Sequence, residues 1–379
     1  MDWKIPLADI DFDSREEAAV LEVIRSRWLT MGGVTQAFEE EFASFIGAHH
    51  AIAVANATAA LHLACLGVGI GPGDEVIVPS LTFVATANAI RYTGATPVFV
   101  DIESEQDLDI SVRTIEQKLT NKTRAIMVMH YGGYACDMPA ILKLARTKGL
   151  KVIEDAAHAV GSEIEGRKTG IWGDVGCFSF FSNKNMTTGE GGMIVTNDET
   201  AASKMRILRS HGMTSMSWDR HKGHAWSYDV VELGYNYRMD EIRAALGRVQ
   251  LSKLEKNNER RRALTMLYRE QLEELVPTVV VPFKESRGTS ACHLLPILLP
   301  VGYDRNSFME HMKSNGVQTS IHYPPIHQFK KYTEVGEVLY YLPVTEDVAR
   351  REVTLPLYPG LSDENIAYVV QTVRSAIHK

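Results

Sequence analysis

Short runs of apolar residues alternate with amphipathic stretches through the first 200 positions of the chain. AIAVA (51–55), EVIVP (75–79), TPVFVD (96–101), RAIMVMH (124–130) and LKVIED (150–155) read as strands buried on both faces. Helix-like segments separate them. One begins after Asp137, a residue suited to the N-cap, and ends near Gly149. This alternation predicts an α/β layer structure with a largely parallel sheet. VGCFSFF (175–181) and GGMIVTN (191–197) follow closely and belong to the same sheet on this reading.

From Asp240 to about Leu275 the pattern is helical almost throughout, with Ile242, Leu246 and Val249 forming an apolar stripe at four- and three-residue spacing. This long helix is expected to join a large domain to a smaller C-terminal one. Beyond it, HLLPILLP (293–300) predicts a strand and NSFMEHMKSNG (306–316) a helix. The chain closes on the helical pattern ENIAYVVQTVRSAIHK, which completes an α+β unit. No internal repeat is evident.

At 379 residues the chain has room for two or three domains. Forty Lys and Arg against 47 Asp and Glu give a net charge of −7, and no basic block stands out, so nucleic acid is not an expected partner. Cys65, Cys136, Cys177 and Cys292 are scattered without a CxxC pair or zinc spacing, which fits a reducing compartment. The start, MDWKIPLADIDFDS, lacks the basic, then apolar, character of a signal peptide. Residues 51–70 are uncharged over a membrane-spanning length, but Asn56, Thr58 and His62 interrupt them. They read as a buried strand and a helix, and the expected location is the cytoplasm, with no membrane partner.

Gly67, Gly69, Gly71 and Gly73 resemble a dinucleotide fingerprint, yet they follow a helix and precede a strand, the reverse of what that motif requires. They are expected to end a helix and turn the chain. A better anion site is ANATAAL (55–61), where a strand ends and Thr58 opens a helix; the plain alternative is an ordinary N-cap. Glu154 and Asp155 close the strand LKVIED at the edge where such folds bind ligands, although Asp155 could simply cap the next helix. Lys184 sits in SFFSNKNMTTGEGGMIVT, a Gly- and Thr-rich loop between buried strands that suggests a backbone folded around a ligand. His221 with His224, and His322 with His327, hint at metal, but no third ligand accompanies either pair, and no metal is expected.

A lysine for a Schiff base, an acid for a pyridinium nitrogen and a helix N-terminus for a phosphate together describe a pyridoxal 5'-phosphate site. The chain resembles the DegT/DnrJ/EryC1/StrS sugar aminotransferases, of fold type I, over nearly its whole length. The motifs that carry this are GGVTQAFEEEFA (32–43), NATAALHLA (56–64), VIVPSLTFVATANAI (76–90), EDAAHAVGS (154–162), SFFSNKNMTTGEGG (179–192), GYNYRMDEIRAALG (234–247) and HYPPIH (322–327).

The resemblance implies a large cofactor-binding α/β/α domain over residues 1–250, with residues 1–20 packing on the small domain, and a small α+β domain over 251–379. It implies that Lys184 carries the cofactor and Asp155 pairs with the ring nitrogen. His158, where many relatives have glutamine, would stand near the phenolic oxygen, and Phe83 would stack on the ring. Ala57, Thr58 and Ser179 would hold the phosphate together with Asn236 from the neighbouring subunit of a homodimer. His322 and Tyr323 would line the sugar site. The implied activity is transfer of an amino group from an amino acid, glutamate, to a nucleotide-linked keto sugar in amino-sugar biosynthesis. The alternatives are a sugar dehydratase on the same scaffold, whose members replace the cofactor lysine with histidine, and a non-catalytic regulator, in which catalytic positions need not be filled.

Overall fold

The apolar runs of the first 200 residues all become strands: β1 (His50–Val54), β2 (Glu75–Pro79), β3 (Thr96–Val100), β4 (Thr123–Met129), β5 (Lys151–Asp155), β8 (Val175–Ser179) and β9 (Gly192–Thr196). A small hairpin, β6 (Glu163–Ile164) and β7 (Arg167–Lys168), interrupts the series. The structure is a computed structural model and describes residues 3–214, 228–333 and 340–378. The strands form one sheet in the order β1-β9-β8-β5-β4-β2-β3, in which β9 alone runs against the rest.

Successive strand residues leave on opposite faces, and both faces are covered, which is why the runs lack polar alternation. Ile52, Val76, Met127, Ile153 and Ile194 meet the helices Ala57–Gly67, Val84–Tyr92 and Glu199–Arg209. Ala51, Phe178, Met193 and Val195 meet the helix Gly33–Ile46, and Ile77, Ile126 and Val152 meet Met138–Lys148. Asp137 caps that last helix through Ala140 N–H, and Gly149 ends it in the left-handed region. Gly69 and Gly73 likewise turn the chain with positive φ between the helix Ala57–Gly67 and β2. The uncharged stretch 51–70 is thus a strand and a buried helix, and no helix among the described residues is long and apolar enough to cross a membrane.

The helix Glu241–Leu275 begins at the expected Asp240 cap, but its buried face is not the predicted one. Ile242, Leu246 and Val249 are only half-buried. The inward face carries Glu241, Gln250, Lys253, Asn257, Asn258 and Arg261 among smaller apolar residues. Most of these groups find partners: Lys253 Nζ lies 2.8 Å from Glu16 and 3.0 Å from Asp13, and Gln250 donates to Glu16 at 2.7 Å. Apolar spacing alone cannot reveal a buried face made of satisfied polar groups.

The second half of the same helix enters another core. Leu264, Tyr268 and Leu272 pack with β10 (Leu295–Leu298), β11 (Glu352–Leu355) and the helices Arg305–Ser314 and Asp363–Ile377. β11 and the helix Pro343–Arg351 were not signalled by the sequence pattern. The amino-terminal segment joins this core, with fully buried Ile5 bridging to Val317 and its N–H donating to Gly316 O at 3.0 Å.

Glu241 also fixes the start of the helix Gly33–Ile46. Its N-cap, Gly32, has no side chain to offer, and Glu241 Oε1 and Oε2 accept from the N–H groups of Gly32, Val34 and Thr35, each at 2.8 Å, as well as from the Thr35 hydroxyl. A carboxylate against a positive helix end is favourable, and removing it leaves buried donors unpaired. Glu241→Ala is expected to lower the unfolding free energy by about 3 kcal/mol, read from a urea titration; an unchanged midpoint would show the clamp to be dispensable.

Candidate active site

Parallel strands end at one edge of the sheet, and the predicted residues gather there because they sit just beyond strand ends. Ala57 and Thr58 follow β1, Phe83 follows β2, and Asp155 closes β5 with His158 three residues on. Ser179 closes β8, and Lys184 lies on the connection from β8 to β9. Because β9 is reversed, its first residue, Gly192, also lies at this edge, opposite Ser179. A Cβ on Gly192 would stand 2.6 Å from the Asn56 carbonyl carbon and 2.8 Å from Ala57 N, so only glycine lets β9 approach the helix start.

The helix after β1 is capped by Asn56, one correction to the sequence reading, which opened it at Thr58. Asn56 Oδ1 accepts from Ala59 N–H at 2.9 Å. The amides of Ala57 and Thr58 come too early in the helix for an intrahelical acceptor, and both residues are partly open. This is a helix N-terminus free to receive an anion, with the buried Ser179 at the end of β8, one strand beyond β9.

Asp155 is buried, and its two oxygens are held by different donors: Thr86 Oγ1 at 2.7 Å and Ala157 N–H at 3.1 Å. Burial raises its pKa, against which those hydrogen bonds and the charge of Lys184 act. A carboxylate oriented this way and short of a cation fits a protonated ring nitrogen.

Lys184 Nζ meets His293 Nε2 at 3.4 Å. Desolvation brings its pKa down from 10.5 to about 7, with the charge of Asp155 opposing. The loop that carries it is tied down on both sides. Lys184 N–H donates to Phe181 O at 2.9 Å, Thr188 N–H to Phe180 O at 2.9 Å, and Asn185 Nδ2 to Ala291 O at 2.7 Å.

His158 accepts from Gly132 N–H at 3.3 Å, and its Nε2 lies 3.0 Å from the Tyr323 hydroxyl. Tyr323 is 5.8 Å, centroid to centroid, from Phe83, which is 53% exposed. His322 sits behind, with Nδ1 2.8 Å from Thr354 Oγ1 and N–H donating to Glu352 at 2.8 Å. Burial lowers His322 to about 4 and lifts Glu352 to about 8. Asn236 is exposed on the stretch before the long helix and bridges to Ser210, while the carbonyl of the next residue, Tyr237, accepts from Ala55 N–H at 2.8 Å, just ahead of Ala57 and Thr58.

The sequence reading missed four groups. Thr86 lies inside a helix, and Glu352 on an unrecognised strand. Asn185 adjoins Lys184 in a loop whose compactness could have pointed to it. His293, 109 positions from Lys184, opens a run whose pattern reads as a strand. His327 binds Ser80 at 2.7 Å and so stands apart from His322, while His221 and His224 lie outside the described residues. No group of three or more possible metal-binding side chains occurs among the described residues.

The chain matches the DegT/DnrJ/EryC1/StrS aminotransferase family over residues 11–374. It is 41% identical to the spore coat polysaccharide biosynthesis protein SpsC of Bacillus subtilis, over 94% of this chain and 93% of that one. It is 39% identical to GDP-perosamine synthase of Escherichia coli O157:H7, over 97% of both. Among solved structures, the putative sugar aminotransferase Spr1654 of Streptococcus pneumoniae superposes with a TM-score of 0.92 in its PMP form and 0.91 in its PLP form. The identity is 28%, covering 99% of this chain and 98–99% of that one.

The lowered pKa of Lys184 has a thermodynamic consequence for the cofactor-free protein. Between about pH 7 and 10.5 the unfolded chain holds a proton on this amine and the folded one does not, so this group makes stability rise with pH across that window. Lys184→Met should be more stable than the native chain below pH 7, with the gap closing toward pH 10.5, in urea titrations at each pH. A gap that does not change with pH would contradict the desolvated amine.

Proposed function

The chain belongs to the DegT/DnrJ/EryC1/StrS aminotransferase family, a group of pyridoxal-phosphate-dependent transaminases, and from that premise we propose that it moves an amino group from glutamate to a nucleotide-linked keto sugar. The observation that carries this reading is the convergence, at one sheet edge, of a Lys184 amine poised near pH 7, the oriented carboxylate of Asp155 and a free helix N-terminus. The likeness to GDP-perosamine synthase supports a nucleotide sugar as the acceptor.

Pyridoxal phosphate, when bound, supplies an electron sink for negative charge developing at a substrate carbon. Asp155, its plane fixed by Thr86 and Ala157, is the residue assigned to hold the ring nitrogen's proton. The amides of Ala57 and Thr58, with the Ser179 hydroxyl, are assigned to the phosphate, joined by the partner subunit's Asn236. Phe83 would cover a ring face and His158 would stand near the phenolic oxygen. His322 and Tyr323 shape the side from which the sugar enters. Lys184 would anchor the cofactor, and its free amine would work as acid and base, taking a proton at Nζ and giving it back, in keeping with a pKa lowered to about 7.

A shared site in a homodimer is supported by exposure. Asn236 faces outward on a stretch that also exposes Val230, Val231 and Leu233, the last at 86%, an apolar surface of the kind that subunit contacts cover.

The activity is tested with glutamate and a panel of nucleotide-linked 3-keto and 4-keto sugars. 2-Oxoglutarate should appear with one or more acceptors, and turnover should fall by several orders of magnitude in Lys184→Ala and Asp155→Asn. No product with any acceptor, or full turnover in Lys184→Ala, would overturn the reading. The shared site predicts complementation: Asn236→Asp, which sets a carboxylate against the phosphate, and Lys184→Ala are each inactive. Subunit exchange between them gives a heterodimer in which one of the two sites is intact. Mixtures that stay inactive would place both residues in the same subunit's site.

A further inference from the structure

The atom that Lys184 Nζ meets is Nε2 of His293, and what this nitrogen offers is decided by a line of amides behind it. Asn258 Nδ2 donates to Val160 O at 2.9 Å, which turns its Oδ1 toward Asn185. Asn185 Nδ2 donates to that oxygen and to Ala291 O, both at 2.7 Å. Asn185 Oδ1 is thereby left facing His293 Nδ1 at 2.9 Å, and an amide oxygen can only accept. His293 therefore carries its proton on Nδ1, and Nε2 presents a bare lone pair to the lysine. Asn185, Asn258 and His293 are all buried, so solvent does not compete for these bonds.

The neighbouring imidazole is set the other way. His158 accepts from Gly132 N–H at Nδ1, which leaves the proton on Nε2, directed at the Tyr323 oxygen 3.0 Å away. The two rings, 4.5 Å apart, present opposite tautomers to the same pocket. Burial holds both well below the ordinary histidine range, with the charge of Lys184 acting in the same direction.

We infer that His293 is a positioning residue for the reaction: its bare Nε2 aligns the Lys184 amine and steadies the ammonium form while that amine carries a proton in transit. The inference rests on the assignment of Lys184 as the cofactor lysine. The proton remains on Nζ throughout, and one N–H of the amine or ammonium points at Nε2, so nothing is transferred to the ring. An acceptor favours the ammonium over the amine because a charged donor makes the stronger bond. Several titratable groups face or surround the lysine. Asp155, from the end of β5, also favours the ammonium. His158 and His322 both feel the lysine's charge, the Tyr323 hydroxyl lies 3.0 Å from His158 Nε2, and Arg261 lies behind His293, its Nη1 3.5 Å from the His293 carbonyl.

The test uses the native, cofactor-free protein. Lys184 is acylated by competitive labelling across pH, and its peptide is quantified. In His293→Leu the midpoint should fall by about one pH unit from its native value near 7. His293→Gln, which restores an oxygen acceptor, should return it toward the native value. A midpoint unmoved in a His293→Leu protein of native melting temperature would overturn the inference. Should that variant fail to fold, the nitrogen NMR spectrum of 15N-histidine-labelled native protein decides: the His293 ring should be protonated at Nδ1 and bare at Nε2 at pH 7, and a proton at Nε2 would overturn it. Neither readout depends on which lysine holds the cofactor, so a failure of that assignment is seen separately, as full turnover in Lys184→Ala.

Discussion

Taking an amine out of water without giving it a carboxylate to touch is costly for the charged form, and the site is organised around that cost. Lys184 meets an imidazole nitrogen, and His158 and His322 are themselves kept neutral by burial. Asp155 feels the lysine's charge, but its oxygens are occupied by Thr86 and Ala157. The amine is left near its own midpoint at neutral pH, a state in which an amine can both attack and carry a proton. Had Asp155 swung onto Lys184 as a contact ion pair, the lysine would be a permanent cation and the carboxylate would be spent.

The sheet makes this possible by direction. Strands running one way deliver their ends to a common edge, so residues as distant in sequence as Ala57, Phe83, Asp155 and Ser179 become neighbours. The reversal of β9 brings the chain straight back after β8, and Lys184 occupies that short return instead of a long crossover. Gly192 completes the closure by letting the return strand lie against the start of the helix after β1.

Much of this was legible in the sequence where the physics is local. Strands covered on both faces must be apolar at consecutive positions, and AIAVA, EVIVP and RAIMVMH announce themselves for that reason. Asp137 and Gly149 mark the ends of a helix through backbone needs that any reader of the chain can see. Asp155 and Lys184 stood out by their settings, and the family resemblance supplied their proposed roles. What was hidden depends on partners far along the chain. The inward face of the long helix is polar because Glu16, Asp13 and Asp11 come to meet Gln250, Lys253 and Asn257, and only the fold joins them. His293 was hidden in the same way, since its meaning lies in Asn185, Asn258 and Lys184, while its own neighbours spell a strand.

The helix Glu241–Leu275 supplies Leu254 to the core beneath the sheet and Leu264, Tyr268 and Leu272 to the core around β10 and β11. At 1.5 Å per residue its 35 residues extend roughly 50 Å. No proline interrupts it. Melting either core would strip the burial that holds one end of this rod in place, and its first residue also clamps the start of another helix. Both cores therefore rest on a single continuous rod, so the packing of each depends on a helix that the other also holds.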